Sequence, residues 1–114
     1  MSLLNQYDRL LIVYRRLFST DHSRMFVGKV EGYEDGIVRI TGFTFARDVV
    51  DGNYCRKQQS QTKLLALSSG TLITYLLPAD FAVDDAETKI GDLGLYLTDN
   101  HGHDLNISEW IHKA

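Results

Sequence analysis

The sequence predicts a mainly β, α+β domain: an N-terminal helix packed on a strongly bent antiparallel sheet or small barrel of roughly five to seven strands. Three observations carry this. Apolar and polar residues alternate with a period of two from Met25 to Val50, across an Asp-Gly turn. The residues before that stretch repeat their apolar positions at three and four instead. The chain has 114 residues, 44% of them apolar, with one proline, enough for a single core and too short for two.

The first element is the helix expected over residues 3–18. Leu3, Tyr7, Leu10, Tyr14 and Leu17 make its stripe, widened by Leu4, Leu11, Phe18, Ile12 and Val13. Arg15 and Arg16 suit the negative end of its dipole. Core packing, not a membrane surface, is the expected role of this face, because few basic residues flank it.

Residues 25–78 are expected to form bent antiparallel strands. Asp35-Gly36 carries the composition of a two-residue type I′ turn, where both central residues need positive φ. Met25, Val27 and Tyr33 share one face before it; Val38, Ile40, Gly42 and Thr44 alternate after it with Arg39, Thr41, Phe43, Phe45 and Arg47. The second segment runs to Val50, where Asp51-Gly52 repeats the turn signal, and so long a strand should bend at Gly42. Tyr54 to Gln59 should pair back on it, and the polar run 55–63 reads as an exposed edge or loop. Residues 64–67 and 71–77 read as a buried hairpin around Ser69-Gly70, ended by Pro78.

Residues 79–114 read as an acidic C-terminal hairpin and a short terminal helix. Phe81 and Val83 suggest a short edge strand, residues 93–98 a strand, 99–104 a turn and 105–107 the return. Ser108 can cap a last turn over residues 109–113.

Charge and composition narrow the function. Net charge is −3, which argues against a dedicated nucleic-acid binder. It is unevenly spread: residues 1–78 hold ten Lys/Arg against seven Asp/Glu, a surplus of +3, and residues 79–114 hold two against eight, a balance of −6. Opposite-signed ends favour head-to-tail association of copies, and a solvated surface of uneven sign is the plainer account. The single Cys55 forms no internal disulfide, no run reaches the ~18–20 apolar residues of a membrane helix, and the opening residues do not read as a secretory signal. A cytoplasmic location, with no membrane partner, is therefore expected.

Chemistry-bearing patterns are few. His101, His103 and Asp104 are the candidate metal set, since imidazoles two apart on a strand share a face and can join a carboxylate on Zn²⁺ or Ni²⁺. Their Gly/Asn/Asp-rich context is equally the composition of a turn. Cys55 lies beside basic residues without a partner base, Ser68-Ser69-Gly70 lacks the nucleophile-elbow pattern, and no apolar pocket marks Asp84, Asp85 and Glu87. His22 and His112 read as surface or packing residues. Neither a catalytic residue nor a cofactor is expected. Arg39, Phe43, Phe45 and Arg47 on one strand face, with Arg56 and Lys57 alongside, form a candidate stacking surface for single-stranded RNA. The competing account puts both phenylalanines in the core, with the arginines reaching out from its ends.

A leading helix, then a succession of five bent strands with Gly28 in the first and a Leu-rich pair near Gly70, resembles the Sm-like small barrels in element order over about residues 3–78. The resemblance implies a homo-oligomeric ring that binds RNA. The family's Asp-x-x-x-Asn loop has only Asp48 to Asn53 as its nearest stretch, with different spacing, and Ser69-Gly70 stands where the family has Arg-Gly. No RNA-binding residue carries over on this pattern. The expected function is binding or assembly as a homo-oligomeric accessory protein without catalysis. Single-stranded RNA binding by an Sm-like ring is the alternative, and metal-dependent activity at the 101–104 turn the third.

Overall fold

Three strands joined as an antiparallel meander carry the structure: β1 (Arg9–Tyr14), β2 (Arg24–Glu34) and β3 (Ile37–Arg47). The computed structural model describes residues 4–15, 23–48, 50 and 52–112. The first sheet has the order β4 (Tyr54–Arg56), β3, β2, β1, β6 (Leu72–Leu76), with β5 (Gln61–Ala66) also on β3. A second, smaller sheet joins β7 (Glu87–Gly91), β8 (Gly94–Thr98) and β9 (Asp104–Asn106). A 3₁₀ turn at Val83–Asp85 precedes it and α1 (Ser108–His112) follows.

The N-terminal helix expected over residues 3–18 is not there: residues 9–14 are a strand, Tyr7 has a φ of 72° that no right-handed helix admits, and residues 3 and 16–18 lie outside the described residues. The physical reason is burial on both faces. Strand β1 sits between β2 and β6, and it sends Leu11 and Val13 into one core and Leu10 and Ile12 into another. A strand covered on both sides reads as an unbroken apolar run, so its period of two vanishes and a broad helical stripe fits the same residues. The first core gathers Met25, Val27, Phe43, Phe45, Phe81, Leu97 and Ile107 around Leu11. The second gathers Phe26, Val30, Val38 and Ile40 around Ile12. Each such side chain taken fully from water stabilises the fold by about 1.5–3 kcal/mol.

The central hairpin forms as its turn chemistry requires. Glu34 faces Ile37, and between them Asp35 (φ 51°) and Gly36 (φ 81°) both take positive φ. Strand β3 then changes partner along its length. Residues 37–42 pair with β5, and residues 45–47 pair with β4. Gly42, where the first pairing ends, faces Gly28 across β2. A Cβ on Gly42 would collide with the Val27 carbonyl and the Gly28 Cα, so this pair lets the two backbones approach closely.

Two more expectations are corrected. Residues 64–67 and 71–77 are not a buried hairpin: β5 bonds β3, β6 bonds β1, and Leu64 and Leu76 are 67% and 64% exposed. The sheet therefore does not close into a barrel. Phe81 and Val83 form no edge strand; both are buried around the 3₁₀ turn, where they cap the first core. Strand β7 was not legible, because Glu-Thr-Lys-Ile-Gly offers a single large apolar side chain. No described helix is long and apolar enough to cross a membrane.

Gly42→Ala should lower stability by at least about 2 kcal/mol, because the obstacle is backbone rather than a movable side chain. Gly32→Ala, in open space on the same hairpin, should change it by less than about 1 kcal/mol. Urea unfolding of the two variants measures the difference.

Candidate functional site

The densest polar constellation surrounds Asp99, at the end of β8. Asn100 (φ 62°) and Gly102 (φ 110°) turn the chain back into β9, and the Asp99 carboxylate holds that turn from within. Its Oδ1 accepts the N–H groups of His101 (2.9 Å) and His103 (3.0 Å), and its Oδ2 accepts that of Ala82 (3.1 Å). Asp99 is fully buried. Burial alone would push its carboxyl up; the three backbone donors outweigh it and bring it down to about 2.

Around this buried acid the turn clasps the preceding loop. His101 Nε2 lies 2.6 Å from Asp85 Oδ2, and His103 Nε2 lies 2.7 Å from Asp80 Oδ1. The His103 hydrogen bond is the main cause that holds the Asp80 carboxyl below its ordinary range. Asp104 turns instead to Lys89 at 3.1 Å, and a hydrogen bond with Thr98, then one with Lys89, lowers its carboxyl. The candidate metal residues His101, His103 and Asp104 are thus divided among three different partners. Positive φ at Asn100 and Gly102 breaks the alternation that would have set both imidazoles on one face. Among the described residues no group of three or more His, Cys, Asp or Glu is placed to hold a metal ion. The exposed pairs are screened by solvent and add little, and Asp99 is the anchor. The composition of residues 99–104 indicated a turn, while the anchoring role of Asp99 within it came only from the structure.

The basic-aromatic residues are dispersed in a different way. Phe45 is fully buried and Phe43 nearly so, both in the core that faces the second sheet. Arg56 lies over the Phe43 ring, 4.7 Å from its centroid, and donates to the carbonyls of Asp84 (2.7 Å) and Ala86 (3.2 Å). Arg39, Arg47 and Lys57 are exposed, but Arg39 belongs to the hairpin tip and Arg47 to a cleft between the sheets. The strand face that carries the two rings therefore presents no aromatic stack to solvent.

Apolar side chains also stand in solvent along β5 and β6. Among the described residues β5 pairs only with β3 and β6 only with β1, so each has an outer edge without a partner strand. Leu64 and Leu76 stand exposed on these two strands. Beside Leu64, the side chains of Tyr33, Ile37 and Arg39 line an open groove of about 530 Å³. No protein-family model, curated protein or solved structure matches this chain. What the domain does has to be argued from these surfaces.

The folded Asp99 carboxylate keeps its charge to lower pH than the unfolded one. Its contribution is complete above about pH 4 and fades as pH falls toward 2. Asp99→Ala should lower stability by about 1–2 kcal/mol at pH 7, with three backbone N–H groups losing their shared acceptor. It should also flatten the dependence of thermal stability on pH between about 4 and 2, read by circular dichroism.

Proposed function

We propose that this domain works by association rather than catalysis, and that it assembles with copies of itself through the outer edges of β5 and β6. The observation that carries the reading is the pair of unpartnered edges, each on a strand with an exposed leucine. A free edge is a row of unused N–H and C=O groups, and monomeric proteins guard it with charge, proline or a bulge. Strand β6, Leu-Ile-Thr-Tyr-Leu, has no such guard. In β5 the single charge, Lys63, is drawn aside to the hydroxyls of Tyr14 and Thr44, 3.3 Å from each. Pairing the β5 edge of one copy with the β6 edge of the next is a heterologous contact, which closes into a ring where the rotation permits. The opposite charge of residues 1–78 and 79–114 would steer this assembly. A reducing cytoplasm suits the exposed, unpaired Cys55.

One observation favours a second reading, single-stranded RNA bound by such an assembly. Arg24 and Lys63 both lie against the Tyr14 ring, at 5.7 and 5.5 Å from its centroid, and among the described residues neither has a carboxylate partner. Two cations on one half-buried ring offer both phosphate contact and stacking, away from the β3 face considered first.

Light scattering at two salt concentrations tests assembly. A multiple of the 13.0 kDa chain mass is expected, and Leu64→Lys with Leu76→Lys should reduce it to one chain while circular dichroism stays unchanged. A wild-type monomer at all concentrations would sink the proposal. For RNA, filter binding of a labelled oligouridylate should lose at least about tenfold in affinity on Arg24→Glu with Lys63→Glu. Loss on Arg39→Glu with Arg47→Glu instead would return the site to the β3 face.

A further inference from the structure

We propose that the cleft between the two sheets binds a small amphipathic anion, with an apolar body and a single carboxylate. This rests on residues away from the β5 and β6 edges and is independent of self-assembly. The cleft has a volume of about 310 Å³. Strands β3 and β4 supply one wall, with Arg47 and Tyr54, and β7, β8 and α1 supply the other, with Ile90, Leu95, Ser108 and Ile111. Small-molecule sites typically enclose about 300–1,000 Å³ and combine an apolar lining with a few convergent polar groups. This cleft lies at the lower end of that range, so its occupant is small.

The lining indicates the occupant's chemistry. Tyr54, Ile90, Leu95 and Ile111 give an apolar surface, and Ile90 remains 58% exposed with no protein group over it. The one charge is the guanidinium of Arg47, which among the described residues makes no ion pair and no side-chain hydrogen bond. Arg56, on the neighbouring strand, shows the contrast, since it gives its donors to two backbone carbonyls. A planar guanidinium with unused donors is suited to a carboxylate, which it grips with two parallel hydrogen bonds. A single cation matches a single negative charge better than a phosphate dianion. Ser108 Oγ already accepts the Leu95 N–H at 2.7 Å, which leaves its own proton to donate into the cleft.

The walls are also held in place before any ligand arrives. Thr88 Oγ1 bridges the sheets to Asn53 Oδ1 (2.9 Å) and the Tyr54 carbonyl (2.8 Å). Trp110 stacks on Tyr75 with centroids 4.4 Å apart, and this ties α1 to the first sheet. A pre-formed cleft saves a ligand the ordering of its own site, which raises affinity without further contacts.

The test uses the whole chain with benzoate, phenylacetate and hexanoate, each beside its amide, in saturation-transfer NMR. Fluorescence of the sole tryptophan, Trp110, next to Ile111, is the second readout. The carboxylates should bind, the amides at least about tenfold more weakly, and Arg47→Gln should erase that difference. Arg39→Gln removes the same charge at the hairpin tip and should leave the difference intact. Ile90→Trp, at an exposed position, should block all binding while the circular dichroism spectrum is kept. Acids and amides binding alike, no transfer from any acid at millimolar concentration, or equal effects of the two arginine variants would each overturn the proposal.

Discussion

Two-sided burial of the β1–β2–β3 meander is the constraint on which the rest of the structure depends. Strand β1 contributes four consecutive side chains, Leu10 to Val13, and sends them alternately into two separate cores. Neither core can form without a cover. The outer strands of the curled first sheet and the residues around Leu65 and Leu72 cover one, and the second sheet with the Phe81 loop covers the other. A 114-residue chain buries enough apolar surface this way only because one sheet serves both cores.

That economy has a consequence at the edges. Strand β3 is shared between β5 and β4, and the change of partner at Gly42 lets the sheet split where the second core begins. Splitting gives each core its cover, and among the described residues it leaves β5 and β6 as outer strands that do not pair with each other. The same geometry that completes the interior thus leaves the β5 and β6 edges, each on a strand with an exposed leucine, outside it. The proposed association rests on this feature, since a free edge is a row of unused N–H and C=O groups.

The second sheet is small and needs fastening. Asp99 does this from inside its turn, by gathering the backbone of His101, His103 and Ala82 on one carboxylate. The histidines then reach outward to Asp80 and Asp85, which are spent as clasps on the loop. Where the second sheet meets the first on the other side, Thr88 bonds to Asn53 and Tyr54, and beside it a cleft lined by Arg47 remains. Polar groups that satisfy each other hold structure, and a cationic side chain beside an apolar cleft offers its charge to a ligand.

Features whose physics is local could be read directly from the order of residues. The Asp35-Gly36 turn needs positive φ, and its flanking alternation set the central hairpin. The strand expected over 93–98 forms at Gly94–Thr98, and the short helix forms at Ser108–His112, where Asn106 Oδ1 rather than Ser108 accepts an N–H at its start. Only the tertiary structure decided what lies on both sides of a segment. Residues 9–14 carry an apolar run that suits a helix stripe equally well, and it was the presence of β2, β6 and two cores that made them a strand. Phe43 and Phe45 alternate with arginine as a binding face would, and the second sheet, forty residues further along the chain, buries them. His101 and His103 have metal-ligand spacing, and two backbone dihedrals send them to separate carboxylates. Periodicity reports which side of a strand is apolar, while burial depends on which distant segment arrives to cover it.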